Sequence, residues 1–224
     1  MAKLYQLLDI RPGLTALIGS GGKTSLLYTL AGELQKKGRV VIATTTHIRR
    51  PEQLPLATGA EELQGLLAAH PIVCAGTPAE DGKLTVPGFP GWDAAADYTL
   101  VEADGAHGLP LKAHASHEPV IPPGCGNVIC VVGASGFDKP IAQAVHRPER
   151  FLELTGLTGM DSAAAPELAA AVIAREGLCS RVFINQTDAL PRFFGRGKLR
   201  EFARCVEVPV VAGSLRQGLW EKLK

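Results

Sequence analysis

A short glycine-rich segment near the start of the chain has the residue types of a phosphate-binding loop. It reads Gly19-Ser20-Gly21-Gly22-Lys23-Thr24 and is followed by Ser25. Glycines let consecutive backbone N–H groups converge on a phosphate, while a lysine supplies a cation and a threonine hydroxyl supplies a magnesium ligand. We predict that residues 19–25 bind phosphate, that Lys23 is catalytic and that Thr24 binds Mg²⁺.

This loop is a shortened variant of the common phosphate loop. The pattern G-x-x-x-x-G-K-[ST] requires glycine at position 17, where the chain has Leu17. The segment more closely resembles the G-T-N-G-K-T loop of Mur-type ligases. The alternative interpretation is a glycine turn with a surface lysine. A predicted strand before the loop and a predicted helix after it favour nucleotide binding.

Two acidic residues end an apolar segment in the middle of the chain. Glu102 and Asp104 follow Tyr98-Thr99-Leu100-Val101 at alternate positions, so they point to the same side of a strand. In phosphate-loop enzymes an acidic strand end holds Mg²⁺ or orients a water molecule. We predict that Glu102 and Asp104 are catalytic and that Glu102 binds Mg²⁺. The alternative is that one of them caps a helix or pairs with Lys112.

Three threonines, Thr44-Thr45-Thr46, end another predicted strand. Ligands of open parallel sheets bind at the carboxyl ends of strands, so one of these hydroxyls is expected to reach the metal. The residues do not decide which one, and Thr45 is the candidate ligand. Because β-branched residues favour strands, at least one of the three has a structural role.

A later segment has the spacing of a base-reading element. Asn185-Gln186-Thr187-Asp188 resembles the N-x-x-D element of GTPases, with Gln186 where lysine is usual. A carboxylate such as that of Asp188 accepts two hydrogen bonds from the guanine edge. We predict that Asn185, Asp188 and Ser214 bind the base and that GTP is preferred to ATP. The weakness of the pattern is that Asn and Asp are ordinary turn residues.

Several other polar residues are not assigned as ligands. His107, His114 and His117 match no standard zinc spacing, so no metal is assigned to them. Arg147, within His146-Arg147-Pro148-Glu149, has two interpretations. It contacts a phosphate or a partner's carboxylate, or it belongs to a helix start with proline in the first turn.

The predicted elements place these residues in an α/β fold. Alternating strands and helices favour a three-layer, mostly parallel sheet, which with this loop is P-loop NTPase-like with a variant short phosphate loop. We expect one domain over residues 1–224, with a small β-hairpin excursion at 72–90 that turns at Asp81-Gly82. Strands are predicted at 14–18, 39–46, 72–75, 83–86, 98–103, 128–132, 182–185 and 206–212, and helices at 23–37, 61–69, 148–154, 166–176 and 196–204.

Composition limits the classes of protein. The 224 residues are 46% hydrophobic and 20% charged, which is typical of a globular chain rather than a disordered one. The 23 basic and 22 acidic residues give a net charge of +1, so no nucleic-acid partner is expected. Five cysteines without a C-x-x-C pair indicate free thiols in a reducing compartment. The start of the chain is unlike a secretory signal and no apolar run is long enough to span a membrane, so we expect a cytoplasmic protein without a membrane partner.

Taken together, these segments resemble the YqeC family in order and over most of the chain, from Leu17 to Ser214. The E-A-D-G and H-E-P-V-I-P segments are the most specific. The resemblance implies an accessory protein of selenium-dependent molybdenum hydroxylases, with the hydroxylase or its cofactor-maturation proteins as partners. The residues on which this resemblance rests are the loop at 19–24, Thr44-Thr45-Thr46, residues 101–106, Lys112, residues 117–122, residues 146–149 and residues 185–188.

The chain departs from the family pattern at two positions. His47 and His107 stand where many members have lysine. A histidine that neutralises phosphate charge there would make affinity fall above pH ~6.5.

We therefore expect a Mg²⁺-dependent enzyme, a P-loop nucleoside triphosphatase that uses ATP or GTP in the maturation of a molybdenum hydroxylase or its cofactor. Two alternatives stay open. One is a phosphoryl transferase or ligase, as the Mur-like loop suggests. The other is a non-hydrolytic scaffold whose loops order around the γ-phosphate and present a binding face.

Overall fold

The structure is a computed structural model that describes residues 2–80, 82–191, 193 and 195–224. The chain divides into two compact units. The first unit comprises Met1–Leu17, Thr24–Gly105 and Val120–Asn127, and the second comprises Ile18–Lys23, Ala106–Pro119 and Val128–Lys224. Asp81, one residue of the predicted hairpin turn, lies outside the described residues.

The elements alternate as an α/β protein requires. The helices are α1 Leu4–Leu7, α2 Lys23–Leu34, α3 Ala60–Ala69, α4 Ile141–Ala144, α5 Pro148–Thr155, α6 Pro166–Glu176 and α7 Gly195–Arg204. Short 3₁₀ turns cover Ala134–Gly136 and Thr187–Ala189. The strands are β1 Gly13–Gly19, β2 Val40–Thr44, β3 Ile48–Arg49, β4 Leu56–Ala57, β5 Ile72–Ala75, β6 Thr77–Pro78, β7 Lys83–Thr85, β8 Tyr98–Glu102, β9 Leu111–Lys112, β10 Asn127–Gly133, β11 Val145–His146, β12 Arg181–Asn185, β13 Val210–Ser214 and β14 Leu219–Lys222.

In the first unit the strands of the main sheet run in the order β4-β5-β2-β8-β1, and all these pairs are parallel. These strands are continuous runs of apolar residues, as expected for a parallel sheet that is buried on both faces. In β2, for example, Val40 to Ala43 are fully buried. Leu17 and Thr44 both lie in register with Glu102. The parallel register therefore brings the carboxyl ends of three strands to one edge. A separate antiparallel sheet contains β3, β7 and β6.

In the second unit β10, β12 and β13 are parallel, and β14 adds an antiparallel edge. Gly133 and Asn185 are in register at the carboxyl ends of β10 and β12. Helices α5 and α6 each begin with proline in the first turn and end at a glycine in the left-handed conformation, Gly156 and Gly177. These local signals explain why both helices were predictable from the sequence.

The structure confirms the prediction of an α/β fold with a mostly parallel sheet, and most predicted elements match within a few residues. The last parallel strand is an exception, because it begins at Val210 instead of residue 206. Pro209 directly precedes it and has no N–H to donate to a ladder. Helix α2 ends at Leu34, earlier than predicted. Within the described residues, no helix has the length and apolarity needed to cross a membrane.

Candidate functional site

The glycine loop of the second unit is folded so tightly that only glycine fits at its key positions. Gly19, Gly21 and Gly22 have φ values of +87°, +90° and +120°. A Cβ atom at Gly21 would overlap the backbone of Gly133, and one at Gly22 would lie 2.5 Å from Asn185 Nδ2. The glycines therefore permit both the left-handed backbone and its close packing.

Hydrogen bonds hold this loop against its surroundings in the second unit. Ser20 donates its backbone N–H to Val131 O at 2.8 Å and its hydroxyl to Leu109 O. Lys23 is only 5% exposed, and its ammonium donates to Gly19 O at 2.7 Å. Lys23 is therefore not the surface lysine of the alternative interpretation, since its ammonium is buried against its own loop.

Asn185 connects the glycine loop to the segment after β13. Its amide Nδ2 donates to Gly21 O at 2.8 Å, while its Oδ1 accepts from the backbone N–H of Leu215 at 3.1 Å. The side chain is buried. Asn185 thus uses both ends of its amide to fix two loops that are distant in sequence.

Asp188 lies in the same part of the second unit. A hydrogen bond from the Ser214 hydroxyl, and then the Arg216 guanidinium, hold the pKa of its carboxyl below the usual range. The guanidinium donates to Asp188 Oδ2 at 2.7 Å. Gln186, which replaces the usual lysine, accepts a hydrogen bond from Ser135 at 2.6 Å. The structure therefore brings Asp188 and Ser214 into direct contact, beside the loops that Asn185 joins.

In the first unit, the threonine that directly follows the loop contacts the acidic strand end. Thr24 Oγ1 donates to Glu102 Oε2 at 2.7 Å. Glu102 is 7% exposed and Asp104 is fully buried. Hydroxyl and carboxylate oxygens are the ligands that Mg²⁺ prefers, so Thr24 and Glu102 are suited to hold this ion.

The three threonines have separate roles in the first unit. Thr44 donates to the backbone carbonyl of Glu102 at 2.9 Å and accepts the N–H of Thr46. Thr45 donates its hydroxyl to Val120 O at 2.7 Å. Thr44 is thus the structural threonine that the sequence anticipated, and the hydroxyl of Thr45, the candidate ligand, is engaged with a backbone carbonyl.

A partly buried ionic cluster of the second unit was not predicted. Glu118 accepts from Lys112 and from Arg147, whose Nε donates at 3.0 Å. Burial raises the pKa of the Glu118 carboxyl, but the hydrogen bonds and charges of Lys112 and Arg147 outweigh burial and lower it overall. The signal was present in the sequence, because all three residues lie in the segments that resemble the YqeC family.

The histidines lie in separate pairs of the second unit. His107 stacks on His146 with ring centroids 4.8 Å apart. His114 Nδ1 is 2.8 Å from Glu176 Oε2, and both side chains are buried. Burial, followed by the charge of Lys112, lowers the pKa of His146. Across the described ranges, no group of three or more His, Cys, Asp or Glu side chains is arranged to hold a metal ion.

Comparison with known proteins places this geometry in a family context. A family model described as YqeC protein matches residues 15–149. A protein of Escherichia coli (strain K12) named "Uncharacterized protein YqeC" is 36% identical to this chain. The match covers 79% of this chain and 77% of the relative. The matched range contains the glycine loop, the acidic strand end and the Lys112, Glu118 and Arg147 cluster.

Proposed function

The chain belongs to the YqeC family, and we propose that it is a Mg²⁺-dependent nucleoside triphosphatase. In this proposal the loop at residues 19–25 binds the phosphates, with Lys23 as their cation. Thr24 and Glu102 bind Mg²⁺. Asp104 accepts a proton from the attacking water, and Asn185, Asp188 and Ser214 bind the base.

One contact carries the proposal: the 2.7 Å hydrogen bond between Thr24 Oγ1 and Glu102 Oε2. In phosphate-loop enzymes the hydroxyl after the loop lysine and an acidic residue at a strand end hold the same magnesium ion. The two residues here are 78 positions apart in the chain. Their direct contact supports the assignment beyond what either motif supports alone.

The chemistry expected of these residues is positioning and charge neutralisation. Mg²⁺, when bound, would neutralise charge on the β- and γ-phosphates. The backbone N–H groups of the glycine loop bind phosphate oxygens, and the enclosed ammonium of Lys23 adds a fixed positive charge. Burial of Glu102 and Asp104 excludes bulk water from the carboxylates, which strengthens their interactions with cations.

The contacts of Asp188 favour GTP over ATP. A carboxylate that stays ionised accepts hydrogen bonds from guanine N1–H and N2–H₂, which adenine does not offer. The lowered pKa of Asp188 keeps it ionised at neutral pH. Guanine then competes with Arg216 and Ser214 for the same carboxylate, so the preference over ATP is expected to be small.

Calorimetric titration with GTP, ATP and CTP, each with and without Mg²⁺, tests the proposal. Wild-type protein should bind GTP with Mg²⁺ best. Lys23→Ala should abolish turnover, and Glu102→Gln should remove the advantage that Mg²⁺ gives. Glu61→Gln, at an exposed carboxylate on α3, is the control that should behave as wild type. Wild-type protein that binds none of the three nucleotides would contradict the proposal.

The biological role that we propose rests on the family resemblance. The nucleotide cycle would drive a maturation step on a selenium-dependent molybdenum hydroxylase or its cofactor. Cells that carry only the Lys23→Ala protein should accumulate inactive hydroxylase with normal polypeptide levels. Normal hydroxylase activity in such cells would exclude this role and leave nucleotide binding to be judged by calorimetry.

A further inference from the structure

The first unit contains a cavity of about 460 Å³ that the nucleotide proposal does not use. Its walls come from the four elements α2, β2, β3 and β5 and from the segment that follows β3. Pockets of a few hundred Å³ with mostly apolar walls are typical of small-molecule sites. The apolar lining includes Tyr28, Ala31, Ile42, Leu54 and Ile72.

Charged residues of this cavity come from one short segment. Arg49, Arg50 and Glu52 line it, so two positive charges and one negative charge leave a net charge of +1. Within residues 2–80, 82–191, 193 and 195–224, neither guanidinium forms an ion pair with a carboxylate. Guanidinium groups bind carboxylate, sulfonate and phosphate oxygens in a planar, two-pronged geometry.

Tyr28 adds a neutral hydrogen-bond donor to the cavity. Burial raises the pKa of its phenol, and the charges of Cys74 and Glu102 raise it further, so the phenol stays protonated at neutral pH. Tyr28 follows Thr24 by four positions on α2, which places the two side chains on the same helix face. The cavity is therefore next to the Thr24 and Glu102 pair within the first unit.

The charge of Arg50 also affects a buried thiol of the first unit. Burial raises the pKa of the Cys74 thiol to about 12, and the charge of Arg50 acts against that increase. Cys74 packs with Ile48 and Leu84, and Leu54 packs against this cluster. Arg49 and Arg50 are themselves exposed, so they present their charges at the solvent-facing mouth of the cavity, while Cys74 and Leu54 belong to the apolar interior behind it.

We infer that this cavity binds a small organic anion with an apolar body. The apolar body lies between Tyr28, Ala31 and Ile72, and the anionic group is held by Arg49 and Arg50. The net positive charge favours an anion, and the apolar walls favour an anion with an apolar body over a small inorganic ion such as free phosphate, which gains nothing from those walls. The inference does not depend on nucleotide binding, since none of these residues belongs to the glycine loop.

Fluorescence titration with two matched probes tests this inference. The anionic probe is 8-anilinonaphthalene-1-sulfonate, and the neutral probe is N-phenyl-1-naphthylamine, which has the same aromatic body without the sulfonate. Wild-type protein should bind the sulfonate more tightly. The double variant Arg49→Gln/Arg50→Gln should bind the sulfonate roughly tenfold more weakly and the neutral probe within about twofold of wild type.

Further variants separate this site from non-specific binding. Ala31→Leu places a larger side chain in the cavity and should weaken both probes, while Arg204→Gln, at an exposed arginine on α7, should change neither. Circular dichroism melts check folding, and the exposed arginine variants keep the test valid if Ala31→Leu unfolds. Equal sulfonate affinity in the wild type and the double arginine variant would overturn the inference, as would no sulfonate binding by the wild type.

Discussion

The glycine loop at residues 19–23 and the cavity beside Tyr28 represent two opposite ways to make room for a ligand. The loop has no space for a single Cβ atom at Gly21, and apart from the Ser20 hydroxyl and the Lys23 ammonium its polar groups are backbone amides and carbonyls. The cavity has about 460 Å³ of space and depends on side chains at its walls and mouth. Two separate ligand classes follow, a phosphate chain for the loop and an apolar-bodied anion for the cavity.

The difference teaches where each kind of site tolerates change. Backbone recognition requires a fixed loop conformation, so any added atom displaces the binding groups. A side-chain cavity keeps its shape when charged residues at its mouth are replaced, so affinity changes without loss of the fold. Substitutions in the loop should therefore affect stability and binding together, while substitutions around the cavity should separate them.

Replacement of Gly21 by alanine should give the largest loss of stability. A small loss would contradict the contrast between the tightly packed loop and the open cavity. The new Cβ overlaps the backbone of Gly133, and the residue has φ +90°. We expect a loss of about 3 to 5 kcal/mol in the free energy of unfolding, measured by urea denaturation. Gly32→Ala is the matched control, since its Cβ meets open space on α2. It should stabilise the protein by up to about 1 kcal/mol.

Thiol labelling tests whether the interior next to the cavity is closed. The pKa of Cys74 is about 12 because the thiol is buried. An unfolded cysteine has a pKa near ~8.5, so at pH 8 the native thiolate fraction is roughly a thousandfold lower. A disulfide reagent should label exposed Cys205 first and should label Cys74 only in urea. Peptide mass mapping identifies which cysteine is labelled. Equal labelling rates of Cys74 in native and unfolded protein would show that the cavity opens to this residue.

Substitution of Asn185 tests whether the loop depends on a distant amide. Asn185→Ala removes the bonds to Gly21 O and Leu215 N–H, and we expect a loss of about 2 to 3 kcal/mol. Asn185→Asp keeps the acceptor for Leu215 but places a carboxylate oxygen against Gly21 O and adds a buried negative charge beside the loop. Its calorimetric affinity for GTP should therefore be no higher than that of Asn185→Ala. Unchanged affinity in both variants would mean that the loop is rigid without this amide.

The smallest effect concerns pH and the ionic cluster of the second unit. Lys112 and Arg147 lower the pKa of Glu118 relative to the unfolded chain, despite burial. A lowered folded pKa gives stability that is present above the unfolded pKa and is lost as pH falls through the folded pKa. As the pH falls below ~4.5, the free energy of unfolding of the Glu118→Gln variant should therefore decrease less than that of the wild type, by roughly 1 kcal/mol. Urea denaturation at pH 3 to 7 measures this, and an identical acid dependence in both proteins would contradict it.

Much of the fold followed from local patterns in the sequence. Helix α6 begins at Pro166 and ends at Gly177, because proline fits the first turn and glycine adopts the left-handed cap. Strands β2 and β8 are apolar runs that a buried parallel strand requires. Short strands such as β9 and β11 were missed, because two residues do not produce a periodic pattern.

The sequence alone identified the glycine loop, the acidic strand end and the elements around them, because the pattern of each lies within one short stretch of consecutive residues. The tertiary structure decided which of these groups touch. Gly21 and Asn185 are 164 positions apart, and Glu118 and Arg147 are 29 apart. The cavity is also a product of tertiary structure, since its walls come from four separate elements. Contacts at such separations depend on how strands and helices pack, and no local propensity encodes them.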